Sequence, residues 1–407
     1  MDRLRSQLLR RLAAQYGTPL YVYDAAVIRR QLAALRGFDR VRYAQKACPN
    51  THIQRLLRAE GALVDCVSLG ELERALVAGF LPNEIVYTAD LVTPAALARI
   101  VETGVAVNAG SEDMVTQLGQ AHPGHDVWLR VNPGFGHGHS KKTNTGGESS
   151  KHGIWHAQLP EALRRIDAYG LNLVGLHMHI GSGADLAHLD RVCEAMVREV
   201  TRLGRDVRAV SAGGGLSVPY REDEAPVDVS GYLARWQAAK KRMEDVLGHE
   251  IELEIEPGRF LVAEAGVLIG EVRAAKQVGD NHFTLVDAGF NDLVRPAMYG
   301  AYHAISLLGR DDRAVDDARV PTVVGGPLCE SGDVFTQDGT GSVVPRALPR
   351  AEVGDLLVFH DAGAYGASMA SNYNSRPLVA EVLVDGDDVR LIRRRQTIEE
   401  LLALEAV

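Results

Sequence analysis

Eight short β-prone runs recur through the first two thirds of the chain, at 41–47, 63–69, 85–90, 105–111, 127–133, 173–182, 209–217 and 253–259. Helical patterns separate the early ones, at 53–59, 70–78 and 94–101. Alternating strands and helices build parallel sheet, because two parallel neighbours must be joined by a crossover long enough to hold a helix. Eight such units predict an α/β fold: a closed (β/α)8 barrel over residues 22–265. After about residue 265 the pattern changes to β-prone runs without regular helices, at 267–272, 282–286, 322–324, 356–359 and 378–384. These predict a mostly β C-terminal domain over 266–407, sandwich- or barrel-like, with residues 1–21 packing on it.

At 407 residues the chain has room for two domains with sizeable cores. Its formal net charge of −9 argues against nucleic acid or an anionic membrane as partner, since either needs a basic footprint. The basic cluster Arg390, Arg393, Arg394 and Arg395 is followed closely by Glu399 and Glu400 and reads as a solvated strand or helix end. Cys48, Cys66, Cys193 and Cys329 form no C-x-x-C pair, so neither zinc nor a disulfide framework is expected, and a reducing cytoplasm fits. No apolar run approaches the ~18 residues of a membrane span. Leu4, Leu8 and Leu12 in the Arg-rich first fifteen residues read as an amphipathic helix rather than a targeting segment.

Chemistry in a barrel of this kind gathers at the carboxyl ends of the strands, where this chain carries Lys46, Asp65, Asp90, Asn108, Asn132, His179, Gly213 to Gly215, and Glu256. A lysine on a core strand must be paired, exposed at the mouth, or deprotonated and functional. Glu256-Pro257-Gly258-Arg259 ends the last run with a carboxylate of the kind that keeps a pyridine nitrogen protonated; a surface Glu256–Arg259 ion pair is the plain alternative. Gly213, Gly214 and Gly215 expose backbone N–H groups and predict an anion cradle beside Gly258, especially if a helix follows. His177 and His179 lack a third and fourth ligand at fitting positions, as do His137 and His139, so no metal is expected. An imidazole lying flat on a cofactor ring accounts better for His179. In the second domain Cys329 and Glu330 sit in a polar turn, and Arg295, Tyr299 and Tyr365 add a guanidinium and two phenols. Asp65 and Asp90 have no role that the sequence assigns.

Together with Ser149-Ser150-Lys151-His152-Gly153 and Asp361-Ala362-Gly363-Ala364-Tyr365-Gly366, these motifs resemble the alanine-racemase-like and ornithine-decarboxylase-like pyridoxal phosphate enzymes, nearly end to end. The resemblance implies pyridoxal 5'-phosphate carried by Lys46, with His179 stacked on the ring and Glu256 on its nitrogen. It implies that Gly213, Gly214, Gly215, Gly258 and Tyr365 bind the phosphate, with Ser182 and Arg259 close by. Arg259, Arg295, Tyr299, Tyr365 and Glu330 are implied to bind substrate, and Cys329 to donate a proton. In this family Cys329 and Glu330 reach the site from the other subunit, which implies a homodimer with shared active sites.

The member reaction implied is decarboxylation of meso-2,6-diaminopimelate at its D-centre to L-lysine and carbon dioxide. Its distal L-centre carries a carboxylate, for which a guanidinium is the bidentate partner. The alternatives are decarboxylation of ornithine, arginine or carboxynorspermidine, racemisation, or a pyridoxal phosphate carrier with no reaction of its own. Such carriers are single barrels, and the residues after 265 count against one.

Overall fold

The computed structural model describes residues 3–136, 145–181, 186–310, 313–316 and 318–407. The chain divides into two compact units, one comprising Arg29–Val218 and Pro226–Leu261, the other Met1–Ile28, Pro219–Ala225 and Val262–Val407. Strands are numbered along the chain: β1 (Leu20–Asp24), β2 (Arg40–Ala44), β3 (Leu63–Cys66), β4 (Ile85–Ala89), β5 (Ala106–Ala109), β6 (Asp126–Asn132), the two-residue β7 (Ile154–Trp155), β8 (Asn172–His177), β9 (Ala209–Ser211) and β10 (Glu252–Ile255). The C-terminal part adds β11 (Gly266–Val278), β12 (Asn281–Val286), β13 (Ile305–Leu308), β14 (Arg319–Gly325), β15 (Arg346–Pro349), β16 (Leu356–Phe359), β17 (Ala380–Asp385) and β18 (Asp388–Arg393).

In the first unit β2 through β6, β8, β9 and β10 pair in parallel and close into an eight-stranded barrel, with β10 against β2 and β5 against β6. Capping chemistry shapes the crossovers. Asn50, Ser68, Thr93 and Ser111 each accept a backbone N–H at the start of a helix, and Gly79, Gly104 and Gly248 stop helices in left-handed conformation. Side-chain oxygens satisfy helix donors that have no intrahelical partner, and glycine turns the chain without a Cβ clash. The parallel pairing of these strands brings their carboxyl ends to the same rim.

Side-chain alternation on β10 points Glu252, Glu254 and Glu256 to one side. Opposite them on β2, Arg40 chelates Glu252 at 2.6 and 2.7 Å, and Arg42 chelates Glu254 at 3.0 and 3.0 Å. The second pair is buried at both ends. A buried carboxylate is tolerated here because both oxygens are occupied by a guanidinium fork.

The second unit is a nine-stranded sheet in the order β15-β14-β12-β11-β1-β17-β18, with β16 pairing β11 and β13. The thirteen-residue β11 is its spine. It pairs antiparallel with β1, β12 and β16, while β1 runs parallel to β17. An N-terminal helix, Arg3–Tyr16, lays Leu9, Leu12 and Ala13 on Leu20, Val22, Val267, Ile269 and Val358 in one buried cluster. Among the described residues no helix is long and apolar enough to cross a membrane.

Candidate active site

Lys46 stands just past β2, in a single 3-10 turn, Gln45–Ala47, and its side chain is exposed while Gln45 and Ala47 are buried. Turning the chain there converts a strand position that would bury a cation into one that presents an amine. Gln45 is the anchor. Its side-chain amide donates to the Glu71 carbonyl at 3.0 Å and accepts from Gln54 at 2.8 Å. Cys48, next along, is buried, so it is not an accessible thiol beside Lys46.

Glu256 follows β10 directly and is buried. His177, at the end of β8, donates to it through Nε2 at 2.8 Å, and Ser211, at the end of β9, donates through Oγ at 2.9 Å. Burial alone would push this carboxyl up, but the His177 contact, the Arg42 guanidinium below and the Ser211 hydroxyl outweigh it and hold Glu256 ionised, well below the usual carboxylate range. The surface Glu256–Arg259 pair is thereby excluded. Asp65 shows the opposite outcome. Burial, then the nearby Glu256 charge, push it well up, and its Oδ1 has no hydrogen-bond partner. Thr88 and Asn108 continue the row inward from β4 and β5, with Asn108 Nδ2 donating to Thr88 Oγ1 at 3.3 Å.

His179 lies two residues past β8 and is half-buried. Burial, followed by the Arg130 and Lys46 charges, pushes its imidazole well down, so it is neutral at physiological pH. The glycine run passes close to it. A Cβ on Gly213 would meet Met178 O at 2.6 Å and His179 Cβ at 2.7 Å, and one on Gly214 would meet Glu256 O at 2.4 Å. Gly213 and Gly215 also adopt φ of +62° and +106°, which side-chain-bearing residues rarely reach. No helix follows the glycines directly, since the next one is Val229–Leu247. Any anion held there meets backbone N–H groups of a loop and not a helix N-terminus. Gly258 is equally enclosed, since a Cβ there would meet Ala44 O at 2.9 Å, and Arg259 opens a one-turn helix beside it.

Asp90 receives a structural role that the sequence left open. It accepts the Gly153 N–H at 2.8 Å and His152 Nδ1 at 2.6 Å, tying the end of β4 to the segment before β7. Asn132 holds the same segment, accepting from Gly147 N at 2.9 Å and donating to Gly147 O and His152 O at 3.1 and 3.2 Å. Arg130, buried on β6, is a site-lining residue that sequence reasoning passed over. A cation inside an otherwise apolar strand was its signal. Ser182, His137 and His139 lie outside the described residues.

Arg295, Tyr299, Cys329, Glu330 and Tyr365 all belong to the β unit. Arg295 and Tyr299 start and end one helical turn, Arg295–Tyr299, and are therefore on one face. Arg295 is buried, its guanidinium 4.7 Å over the Tyr220 ring and 2.9 Å from His303 Nε2. Cys329 and Glu330 are exposed, on a loop held from beneath by buried Asp333, which accepts from Leu328 N at 2.8 Å and Phe290 N at 2.7 Å. Tyr365 takes a left-handed φ of 57°, costly for an aromatic residue, in a turn whose Gly366 abuts Tyr21.

The barrel residues fit pyridoxal phosphate on physical grounds. An amine, a carboxylate kept anionic, a neutral imidazole and a close-packed glycine loop stand on one rim, beside buried acceptors on Asp65 and Asn108 that lack partners. Among the described residues no cluster of His, Cys, Asp and Glu could hold a metal ion.

Residues 24–263 match the family described as pyridoxal-dependent decarboxylase, pyridoxal binding domain. Diaminopimelate decarboxylase of Escherichia coli (strain K12) is 63% identical over 407 residues, covering 99% of this chain and 97% of that one. A crystal structure of diaminopimelate decarboxylase superimposes with a TM-score of 0.97 at 63% identity, covering 99% of this chain and 97% of the other. The Helicobacter pylori enzyme complexed with L-lysine aligns with a TM-score of 0.87 at 31% identity, over 98% of this chain and 99% of that one. With likeness of this depth over nearly its whole length, the chain belongs to the pyridoxal-dependent decarboxylases, in the diaminopimelate decarboxylase family.

Proposed function

We propose that this protein removes the D-centre carboxylate of meso-diaminopimelate, releasing carbon dioxide and L-lysine, with Lys46 carrying pyridoxal phosphate. The cofactor, once bound, supplies an electron sink for the bond that breaks. Glu256, fixed by His177 and Ser211, holds the ring nitrogen protonated so that the sink stays strong. Neutral His179 would hold the ring, and Gly213, Gly214, Gly215 and Gly258 would offer the phosphate backbone N–H groups, joined by Arg259 and, as the family resemblance implies, by Tyr365 and Ser182. Cys329 delivers the proton that replaces the lost carboxylate on carbon.

Arg295 carries the substrate reading. A guanidinium recognises a carboxylate through two parallel N–H bonds, and only a diamino diacid retains a second carboxylate after one is lost. Tyr299, one helical turn on, and Glu330 complete the complement to the distal carboxylate and ammonium. Purified protein with cofactor should release carbon dioxide from meso-diaminopimelate and from neither L-ornithine nor L-arginine. Arg295→Leu should raise KM by about 10- to 100-fold, the range for losing a charge-assisted pair, with cofactor absorbance unchanged. Unaltered KM in that variant would remove the clamp, and release from ornithine or arginine would replace the substrate.

We further propose a cytoplasmic homodimer whose Cys329 and Glu330 enter the partner's site. Their exposure on a braced loop and the four free thiols support this. Mixing inactive Lys46→Ala with inactive Cys329→Ala should restore about a quarter of wild-type turnover if subunits exchange at random, because half the dimers then hold one complete site. No recovery after subunit exchange would mean that each chain completes its own site.

A further inference from the structure

We propose that His303, kept as a neutral hydrogen-bond acceptor, positions Arg295 for the distal carboxylate, so that substrate affinity is lost when this imidazole takes up a proton. This deepens the clamp reading and rests on it. The tautomer follows from the two partners. His303 Nδ1 lies 2.8 Å from the His360 carbonyl oxygen, which only accepts, so Nδ1 carries the hydrogen. His303 Nε2 lies 2.9 Å from Arg295 Nη1, which only donates, so Nε2 offers its lone pair. A second proton on the ring would set N–H against N–H and turn a hydrogen bond into a repulsion between cations.

The surroundings reinforce that arrangement. Tyr220 contacts both partners, its ring edge-on to His303 with centroids 5.5 Å apart and under the Arg295 guanidinium at 4.7 Å. His360, which supplies the carbonyl, is itself fixed by Ser306 Oγ at 2.7 Å. Arg346 donates to the His303 carbonyl from β15. Its guanidinium and that of Arg221 stack on Tyr302 at 4.0 and 4.1 Å. Arg295, Arg346 and Arg221 thus place guanidinium cations around this segment. Both His303 and Arg295 are buried, so their mutual geometry is set by packing and not by solvent.

The test compares His303→Leu, which removes the acceptor, with His303→Gln, whose amide oxygen reaches about where Nε2 stands and cannot be protonated in this range. In the holoenzyme His303→Leu should raise KM for meso-diaminopimelate about tenfold, as expected for one charge-assisted hydrogen bond, and leave kcat within about twofold. His303→Gln should recover most of the loss. Wild-type KM should climb on acidification as the ring takes up a proton, and the climb should vanish in His303→Gln. Calorimetry supplies a readout apart from turnover: the preference of the holoenzyme for L-lysine over cadaverine, which lacks the carboxylate, should shrink about tenfold in His303→Leu.

Should His303→Leu fail to fold, the pH profile of His303→Gln decides alone, and a profile matching wild type overturns the proposal. Unchanged KM in His303→Leu with a raised KM in Arg295→Leu would sink the positioning role and spare the clamp. Unchanged KM in Arg295→Leu would sink both.

Discussion

The barrel rim and the Arg295 cluster of the β unit each bury charge, and they keep it in opposite ways. On the rim, charge answers charge. Arg42 grips Glu254 with two hydrogen bonds, and Glu256 above it is held ionised by His177, Ser211 and the same Arg42. At Arg295 a buried cation is supported by an aromatic face and the lone pair of a neutral imidazole. The first arrangement keeps a carboxylate ionised, which suits the role proposed for Glu256 of holding a pyridine nitrogen protonated. The second sets a buried guanidinium against an aromatic face and a ring lone pair, contacts that suit a group proposed to meet an anionic substrate.

The sharpest break in this comparison is on the rim. Lys46→Ala should lower turnover by at least ~10³-fold, because the covalent anchor and amine exchange proposed for it would be lost together, whereas the buried contacts of Glu256 do not involve Lys46. Stopped-flow detection of carbon dioxide and the cofactor spectrum measure it. Turnover within tenfold of wild type would remove Lys46 from the site.

Arg42→Met comes next. It strips the partner from a carboxylate that burial already pushes upward. Breaking a buried pair from one side typically costs about 3–5 kcal/mol, so the urea midpoint should fall markedly. Pairing Arg42→Met with Glu254→Leu should recover most of that stability. If the single and the double substitution prove equally unstable, the loss is one of packing and not of an orphaned charge.

These residues also show how much of the molecule was legible in its sequence. Lys46, Glu256 and the glycine run were readable because a closed barrel sends every strand end to one rim, so position along the chain sufficed. Ser211 and Arg130 were not singled out: a serine in a strand is ordinary, and its value comes only from the 2.9 Å contact with a residue 45 positions away. The β unit hid more. Strand β1 lies before the barrel in sequence yet sits between β11 and β17, and an alternating pattern announces a strand without naming its neighbours. The Arg295 support is assembled from Tyr220, His303 and the His360 backbone, three stretches without a shared motif. A tautomer is invisible until both partners of the ring are placed. The loop after Gly215 was not legible for a related reason, since a glycine run signals close backbone approach and says nothing of the element after it.

Glu256→Gln sharpens the contrast with a smaller kinetic effect, about 10²-fold on kcat, as an amide can meet the ring nitrogen but cannot hold its proton. KM and the lysine-over-cadaverine preference should barely move, because the residues proposed for the distal clamp belong to the other unit. A large loss of that preference would mean that rim and clamp are energetically one site.

The smallest effect is on acid stability, where the sign can be worked through. Glu256 is held below its unfolded value of ~4.3, so the unfolded chain binds its proton first as pH falls. Its contribution is therefore fully present above ~4.3 and drains away as pH drops toward its folded value of about 2. Asp65 runs the other way: held above its unfolded ~3.9, it costs stability as pH rises through its folded value, and acidification relieves that cost. His179, held below its unfolded ~6.5, adds a loss that begins at milder acidity. Urea midpoints of the cofactor-free chain should thus differ little between wild type and Glu256→Gln from pH 7 to 5, since the opposing effects of His179 and Asp65 are present in both. Between pH 4 and 3 the two should part, wild type losing up to ~1.4 kcal/mol more per pH unit, the limit for one proton. Parallel curves down to pH 3 would mean that Glu256 is not ionised ahead of its neighbours, and the rim would then resemble the Arg295 cluster more than the charge arithmetic allows.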